Sequence, residues 1–340
     1  MIHRLILLVI LLFGLSTFNG CKFSQVSTKV EKLANGSWSE VQSSDGSLPV
    51  ERHEAAFVGV KDKMYLLGGR GMRPVSIYDV AKNIWTQGAV VPIELHHFQP
   101  VIYKNEIYIC GAMTGKYPGE TPVPDIYIYN PANDTWRKGP TIPESRHRGG
   151  AGATIHNDKL YLICGIKDGH RGDHKKWTDV YDFSAKSWST LPDAPRARDH
   201  FQSVYADGKI YNVGGRTTIS SDNPFKNTIG EIDVYDVSQK SWTTLAAPLP
   251  TLRAGNFAIV LAKEILVIGG ESYEQELAHN EVEALNTVAQ SWRTLPRLPK
   301  GRHGTGVVFY NGNLYTASGS GNHGGGPEMS DLWKYSWPSN

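Results

Sequence analysis

A unit of about 50 residues recurs six times along this chain, and that period constrains the fold more than any other feature. Its first half is an aromatic run ending in small residues, as in Met64-Tyr65-Leu66-Leu67-Gly68-Gly69. The run returns at Tyr108…Gly111-Ala112, Tyr161…Cys164-Gly165, Tyr211…Gly214-Gly215, Leu266…Gly269-Gly270 and Tyr315…Ser318-Gly319. The second half places an aromatic residue seven positions before a Trp, at Tyr78/Trp85, Tyr129/Trp136, Tyr181/Trp188 and Tyr235/Trp242; Leu285/Trp292 keeps the spacing. Turn pairs such as Asp62-Lys63, Asn105-Glu106, Asp207-Gly208 and Asn311-Gly312 precede each first-half run, so each unit reads as four short strands joined by tight turns.

One four-stranded sheet cannot bury both of its faces, so units of this kind stack on one another. The Trp and Tyr are large enough to fill the wedge between twisted neighbours. The period and the Tyr…Trp spacing resemble kelch repeats, and the resemblance implies an all-β, six-bladed kelch β-propeller spanning residues 37–340. The sixth repeat has its aromatic at Tyr335, but the matching Trp would fall beyond Asn340, and Trp337 is out of register. Trp38, which has no preceding repeat of its own, completes the series, so the N-terminal strand is expected to join the last blade and close the ring.

A basic start, Met1-Ile2-His3-Arg4, leads into an apolar run from Leu5 to Leu15. That run suits a signal peptide and is too short for a membrane span. Phe18-Asn19-Gly20-Cys21 follows and resembles a bacterial lipobox, which implies a signal over 1–21, lipidation at Cys21 and a tether over 22–36. Lys22 in place of an acidic residue points to the outer membrane, so the expected location is the cell envelope, reached through a lipid anchor. Cys110 and Cys164 fall in apolar strands and read as buried, inert thiols. The formal charge of +2 over 340 residues offers no field for nucleic acid. A monomer is expected.

Strand alternation puts the loops before strand one and after strand two on one face. Seventeen residues before each closing small residue stand Arg52, Leu95, Arg148, Arg198, Arg253 and Arg302, followed by positions that include His53, His96-His97, Asp199-His200 and His303. Arg70, Arg216 and Glu271 open the exit loops of the same face, which also carry His170, His174, His279 and His323. Ten of the twelve His fall there. The expected ligand-binding residues are therefore Arg198, His200, Arg216, Arg253, Arg302, His97 and Trp177, converging on a central funnel. The alternative is structural, since the kelch resemblance implies that an Arg before strand one bonds neighbouring carbonyls or carboxylates, and Trp177 could pack between blades. Several cations beside few acids would favour an anionic or carboxylate-bearing ligand, and the expected ligand is a glycan or an acidic sugar. Binding of such a polar ligand is the leading expectation, ahead of a protein-interaction scaffold.

The enzymatic alternative rests on Glu271, with His303 beside it, as an acid–base pair at a sugar's anomeric carbon, giving a mutarotase, epimerase or lyase. Gly270-Glu271 is similar to a Gly-Glu step in kelch enzymes of the sialic acid mutarotase type. In those an Arg follows six residues later, where this chain has Leu277. Kelch copper oxidases of the galactose oxidase type need a Tyr-His cluster that this sequence lacks. No short spacing of His, Cys or carboxylates resembles a zinc box, so neither a metal nor another cofactor is expected.

Overall fold

The computed structural model describes residues 32–218 and 222–338; the expected signal, Cys21 and most of the expected tether lie outside them. Six four-stranded antiparallel sheets form the fold. Their first strands, Ala55–Val60, Gln99–Tyr103, Gly152–His156, Gln202–Ala206, Phe257–Leu261 and Val308–Tyr310, pack side by side around one axis and begin blades 1 to 6. The architecture is a six-bladed β-propeller. Strand alternation dictates the packing: each blade buries apolar residues on both faces, and six apolar clusters each straddle one blade interface. Cys110 and Cys164 lie within these clusters as free, fully buried thiols.

The Tyr…Trp spacing becomes a cross-strand pair on the outer two strands of each blade. Tyr78, Tyr129, Tyr181 and Tyr235 face Trp85, Trp136, Trp188 and Trp242 in register. The indoles then reach to the preceding blade. Trp136, Trp188, Trp242 and Trp292 donate Nε1–H to the carbonyls of Ala89, Thr141, Pro192 and Ala247. The Trp is thus an interblade staple as well as a wedge.

Blade 6 draws its outer strand from the other end of the chain. Ser37–Glu40 pairs antiparallel with Leu332–Ser336, with Trp38 opposite Tyr335 and the two rings 5.0 Å apart. Trp38 donates to Pro296 O of blade 5 at 3.0 Å, as the other indoles do to their preceding blades. The packed fold extends upstream of this strand. A short 3-10 turn, Lys32–Asn35, inserts fully buried Leu33 between blades 5 and 6, and Tyr335 donates its hydroxyl to Leu33 O.

Candidate functional site

Five arginines occupy one position of the repeat and are fully buried: Arg52, Arg148, Arg198, Arg253 and Arg302. Each runs back into its own blade and donates to carbonyls at the end of strand two, such as Gly214 O for Arg198 and Ser318 O for Arg302. Four meet a carboxylate at strand three: Arg148–Asp179, Arg198–Asp233, Arg253–Glu283 and Arg302–Asp331, at 2.6–2.9 Å. In blade 1 the acid is replaced by Ser76, and burial, with Arg73 nearby, pulls Arg52 down to about 9. In blade 2 both charges are gone, and Leu95 shares an apolar cluster with Tyr127. This corrects the expectation for Arg198, Arg253 and Arg302. They bind the blade to itself through their Nη donors, which a buried guanidinium must pair, and they do not face the axis. Trp177 is corrected likewise: its ring stacks under Arg146 at 4.2 Å, with Lys175 nearby, and does not line the mouth.

The two residues after each arginine build the mouth. The first pairs by a β-bridge with the opening residue of the exit loop: His96 with Met113, Asp199 with Arg216, Ala254 with Glu271, His303 with Ser320. The second forms the neck of the axial channel. Glu54, His97, Gly150, His200, Gly255 and Gly304 all have positive φ, between 50° and 62°. Backbone bonds run from blade to blade around them, from His97 N to Glu54 O, Gly150 N to His97 O, Gly255 N to His200 O and Gly304 N to Gly255 O. Three positions are glycine, as this backbone favours. The other three hold an acid and two imidazoles in a strained conformation, a feature that clusters at functional sites.

Above the neck lies a cavity of about 310 Å³ lined by His53, Glu54, Arg70, His97, Tyr117, His170, Arg216, Phe225 and Glu271. Arg216 donates to Glu271 Oε1 and, through Nη2, to His200 Nε2 at 3.0 Å and His170 Nε2 at 3.3 Å. Glu271 Oε2 accepts Gly324 N–H at 2.7 Å and lies 3.4 Å from His303 Nε2. Glu54 reaches His303 Nδ1 at 3.6 Å and His97 Nε2 at 3.7 Å. Arg70 and His170 both bond Glu120, at 2.7 and 3.0 Å. The guanidinium missing at Leu277, whose side chain is largely exposed, is thus supplied to Glu271 from blade 4 by Arg216.

Burial opposes charge on every group here, and the partners decide which charges survive. Burial alone would raise Glu54 and Glu271, but protonated His303 facing both, and Arg216 at Glu271, hold both carboxyls below their usual range. Asp199 and Glu120 are also lowered against their burial, by His200 and His174 and by His170 and Arg70. For His97 and His170 burial wins and keeps the rings neutral. His303 is the opposite case: Glu271 and Glu54 overcome burial and raise it to about 9. Glu54, Glu120, Asp199 and Glu271 thus stand beside Arg70, Arg216 and His303, and the expectation of few acids at the mouth is corrected.

His97, His200, Arg216, Glu271 and His303 thus meet at the mouth as the sequence reading placed them. Glu54 shares the repeat register of His97 and His200, and that register was the signal available for it. His170, Glu120, Tyr117 and Phe225 come from exit loops that follow no repeat. His147 and His279 turn away, to Ile142 O and to Glu281.

The raised His303 gives a signed pH dependence. Its ordinary value of 6.5 and folded value of about 9 mean that its stabilisation is complete below pH 6.5 and lost as pH rises through 9. Unfolding free energy should fall across that window by up to about 1.4 kcal/mol per pH unit more in the wild type than in His303→Gln. Denaturant titrations from pH 6 to 10 read the difference, and parallel curves would show His303 to be neutral.

Six blades stapled by Trp, with buried arginines and the functional groups gathered at one axial mouth, define a kelch-repeat β-propeller. A model of the Attractin/LZTR1 beta-propeller family matches residues 10–274, and the chain belongs to that family. It is similar to Kelch-like protein terF of Aspergillus terreus, 26% identical over 296 residues, covering 80% of this chain and 61% of the relative. Kelch-like protein 23 of Homo sapiens is 24% identical over 300 residues, covering 73% of this chain and 51% of that protein. The chain spans about half to three-fifths of the length of these curated relatives. The solved structure of YjhT superposes with a TM-score of 0.69 at 16% identity, over 84% of this chain and 95% of that one, a likeness of fold.

Proposed function

We propose that this propeller binds a hydroxyl-rich ligand, the end of a glycan of about monosaccharide size, in the axial mouth. The observation that carries the reading is the composition of the cavity of about 310 Å³. It joins two aromatic rings, Tyr117 and Phe225, to a floor of buried, oppositely charged groups. Aromatic faces stack on the C–H face of a sugar, and fixed carboxylates and guanidiniums bond its hydroxyls. The carboxylates of Glu54 and Glu271 in the lining favour a neutral sugar over an acidic one. A screen of the purified protein on a glycan array tests this, followed by titration of the best binder against Tyr117→Ala and Glu271→Gln. Each variant should weaken binding about tenfold or more, equivalent to about 1.4 kcal/mol. An empty array, or unchanged affinities, would overturn it.

A second reading, turnover of the sugar, is favoured by one pair. Glu271 as carboxylate and His303 as imidazolium stand 3.4 Å apart, a proton acceptor beside a proton donor. The similarity of Gly270-Glu271 to the sialic acid mutarotase type supports the same chemistry. Here Glu271→Gln should abolish anomer exchange seen by NMR while the sugar still binds. For location, we propose lipid attachment at Cys21 and residence in the cell envelope. Cys21→Ser should move the protein from the membrane to the soluble fraction and remove labelling by a fatty-acid analogue.

A further inference from the structure

His97, His170 and His200 come from blades 2, 3 and 4, and neither reading above uses them as a set. We propose that they bind one divalent transition-metal ion of the zinc(II) class on the propeller axis, with an open position facing the mouth. One nitrogen from each ring lies within 4.8 Å of the other two. Ring centroids are 4.6–5.5 Å apart, with the rings edge-on to one another, so modest side-chain rotations bring the nitrogens onto a common ion.

The hydrogen bonds behind the rings fix where their lone pairs point. His170 donates Nδ1–H to Glu120, at 3.0 Å, and His200 donates Nδ1–H to Asp199, at 2.7 Å. With Nδ1 of each neutral ring donating to a carboxylate oxygen, both rings present Nε2 as an acceptor, and Arg216 Nη2 faces that nitrogen in each. His97 follows through its neighbour. His96 faces the Gly115 carbonyl with Nε2 at 3.1 Å and must donate there, which leaves His96 Nδ1 as an acceptor for His97 Nδ1–H. His97 Nε2 is then an acceptor as well. Three inward lone pairs, two of them backed by a carboxylate, form the arrangement by which proteins orient imidazoles on metals.

One further observation agrees. The left-handed backbone at His97 and His200, φ 52° and 51°, is where three other blades use glycine. Arg216 Nη2 donates into two of the same lone pairs, so the guanidinium occupies the cation position and competes with the ion. Three protein nitrogens leave the fourth position of a tetrahedral site open to water or a ligand oxygen in the cavity, the pattern of reactive zinc sites.

The full-length protein, stripped with chelator and titrated with Zn(II) or Co(II) in the absence of sugar, tests this separately from glycan binding. One ion per chain is expected, with the intensified d–d absorption of four-coordinate Co(II) and hyperfine-shifted N–H signals from three imidazoles. His170→Ala, in an exit loop, should weaken binding at least about a hundredfold, and Glu120→Gln about 10–100-fold. Arg216→Gln should tighten it, and His279→Gln, remote from the cluster, should leave it unchanged; unaltered melting confirms that each variant is folded. Absence of stoichiometric binding, or full affinity in His170→Ala, would overturn the proposal.

Discussion

Arg253→Ala should lower the unfolding free energy by about 3–5 kcal/mol while leaving ligand affinity at the mouth unchanged. Arg253 is fully buried and pairs with Glu283 at 2.6 Å, the Thr251 carbonyl at 2.8 Å and the Val267 carbonyl at 3.0 Å. Truncation leaves a carboxylate and two carbonyls facing a dry cavity, and that uncompensated charge is the larger part of the cost. Replacing both partners with apolar residues, as in Arg253→Met with Glu283→Leu, should recover most of the loss, as blade 2 already does with Leu95 and Tyr127. Denaturant unfolding checks both variants. A single variant that folds normally but loses ligand would restore a binding role to this arginine.

Removal of residues 1–40 should destabilise the ring by several kcal/mol and make the protein self-associate. Leu33 is fully buried between blades 5 and 6, and Trp38 holds both the Tyr335 ring and the Pro296 carbonyl. The truncation also leaves Leu332–Ser336 as an unpaired edge, a template for joining another chain. As a point test, Trp38→Ala should cost about 2–3 kcal/mol. Trp337→Ala, outside the Trp register, beside Phe309 at 6.2 Å and Tyr335 at 5.8 Å at the edge of the same apolar cluster and with no indole bond to a preceding blade among the described residues, should cost less, under about 1.5 kcal/mol. Melting curves and size-exclusion profiles compare them, and equal effects would deny Trp38 its closing role.

These contrasts show which parts of the molecule were legible in its residues. The six sheets could be read because one physical problem, burying both faces of a small twisted sheet, recurs and leaves the same Tyr…Trp solution each time. Glu271, His303, His97 and His200 were legible for the same reason: they sit at repeat positions whose loops must open on one face. Arg253 and its equivalents were located by the same register, with a binding and a structural role both open. Their partners, Glu283 and Asp331 among them, lie about 30 residues downstream on strand three, so the local sequence alone did not decide between the two. Glu120 was missed, and His170 was placed on the mouth but not among the ligand-binding residues, since exit loops have no period and their meeting at 3.0 Å depends on how two different blades tilt. The three imidazoles escaped any search for short ligand spacing, because the axis brings together residues from three separate repeats.

The neck also sets how this scaffold can change. The blade-to-blade bonds around it are made by main chain, so the side chains at these positions are not what joins the blades. The slots are not equally open. A Cβ at Gly304 would meet Glu54 N at 2.6 Å, whereas at Gly150 and Gly255 it would meet only Asp199 or His303 side-chain atoms at 3.3 Å. New chemistry can therefore be installed at blades 3 and 5 by a single codon change and a small backbone strain, while blade 6 must stay bare. Descendants of such a chain would diversify their ligands by refitting two sockets of an otherwise fixed ring.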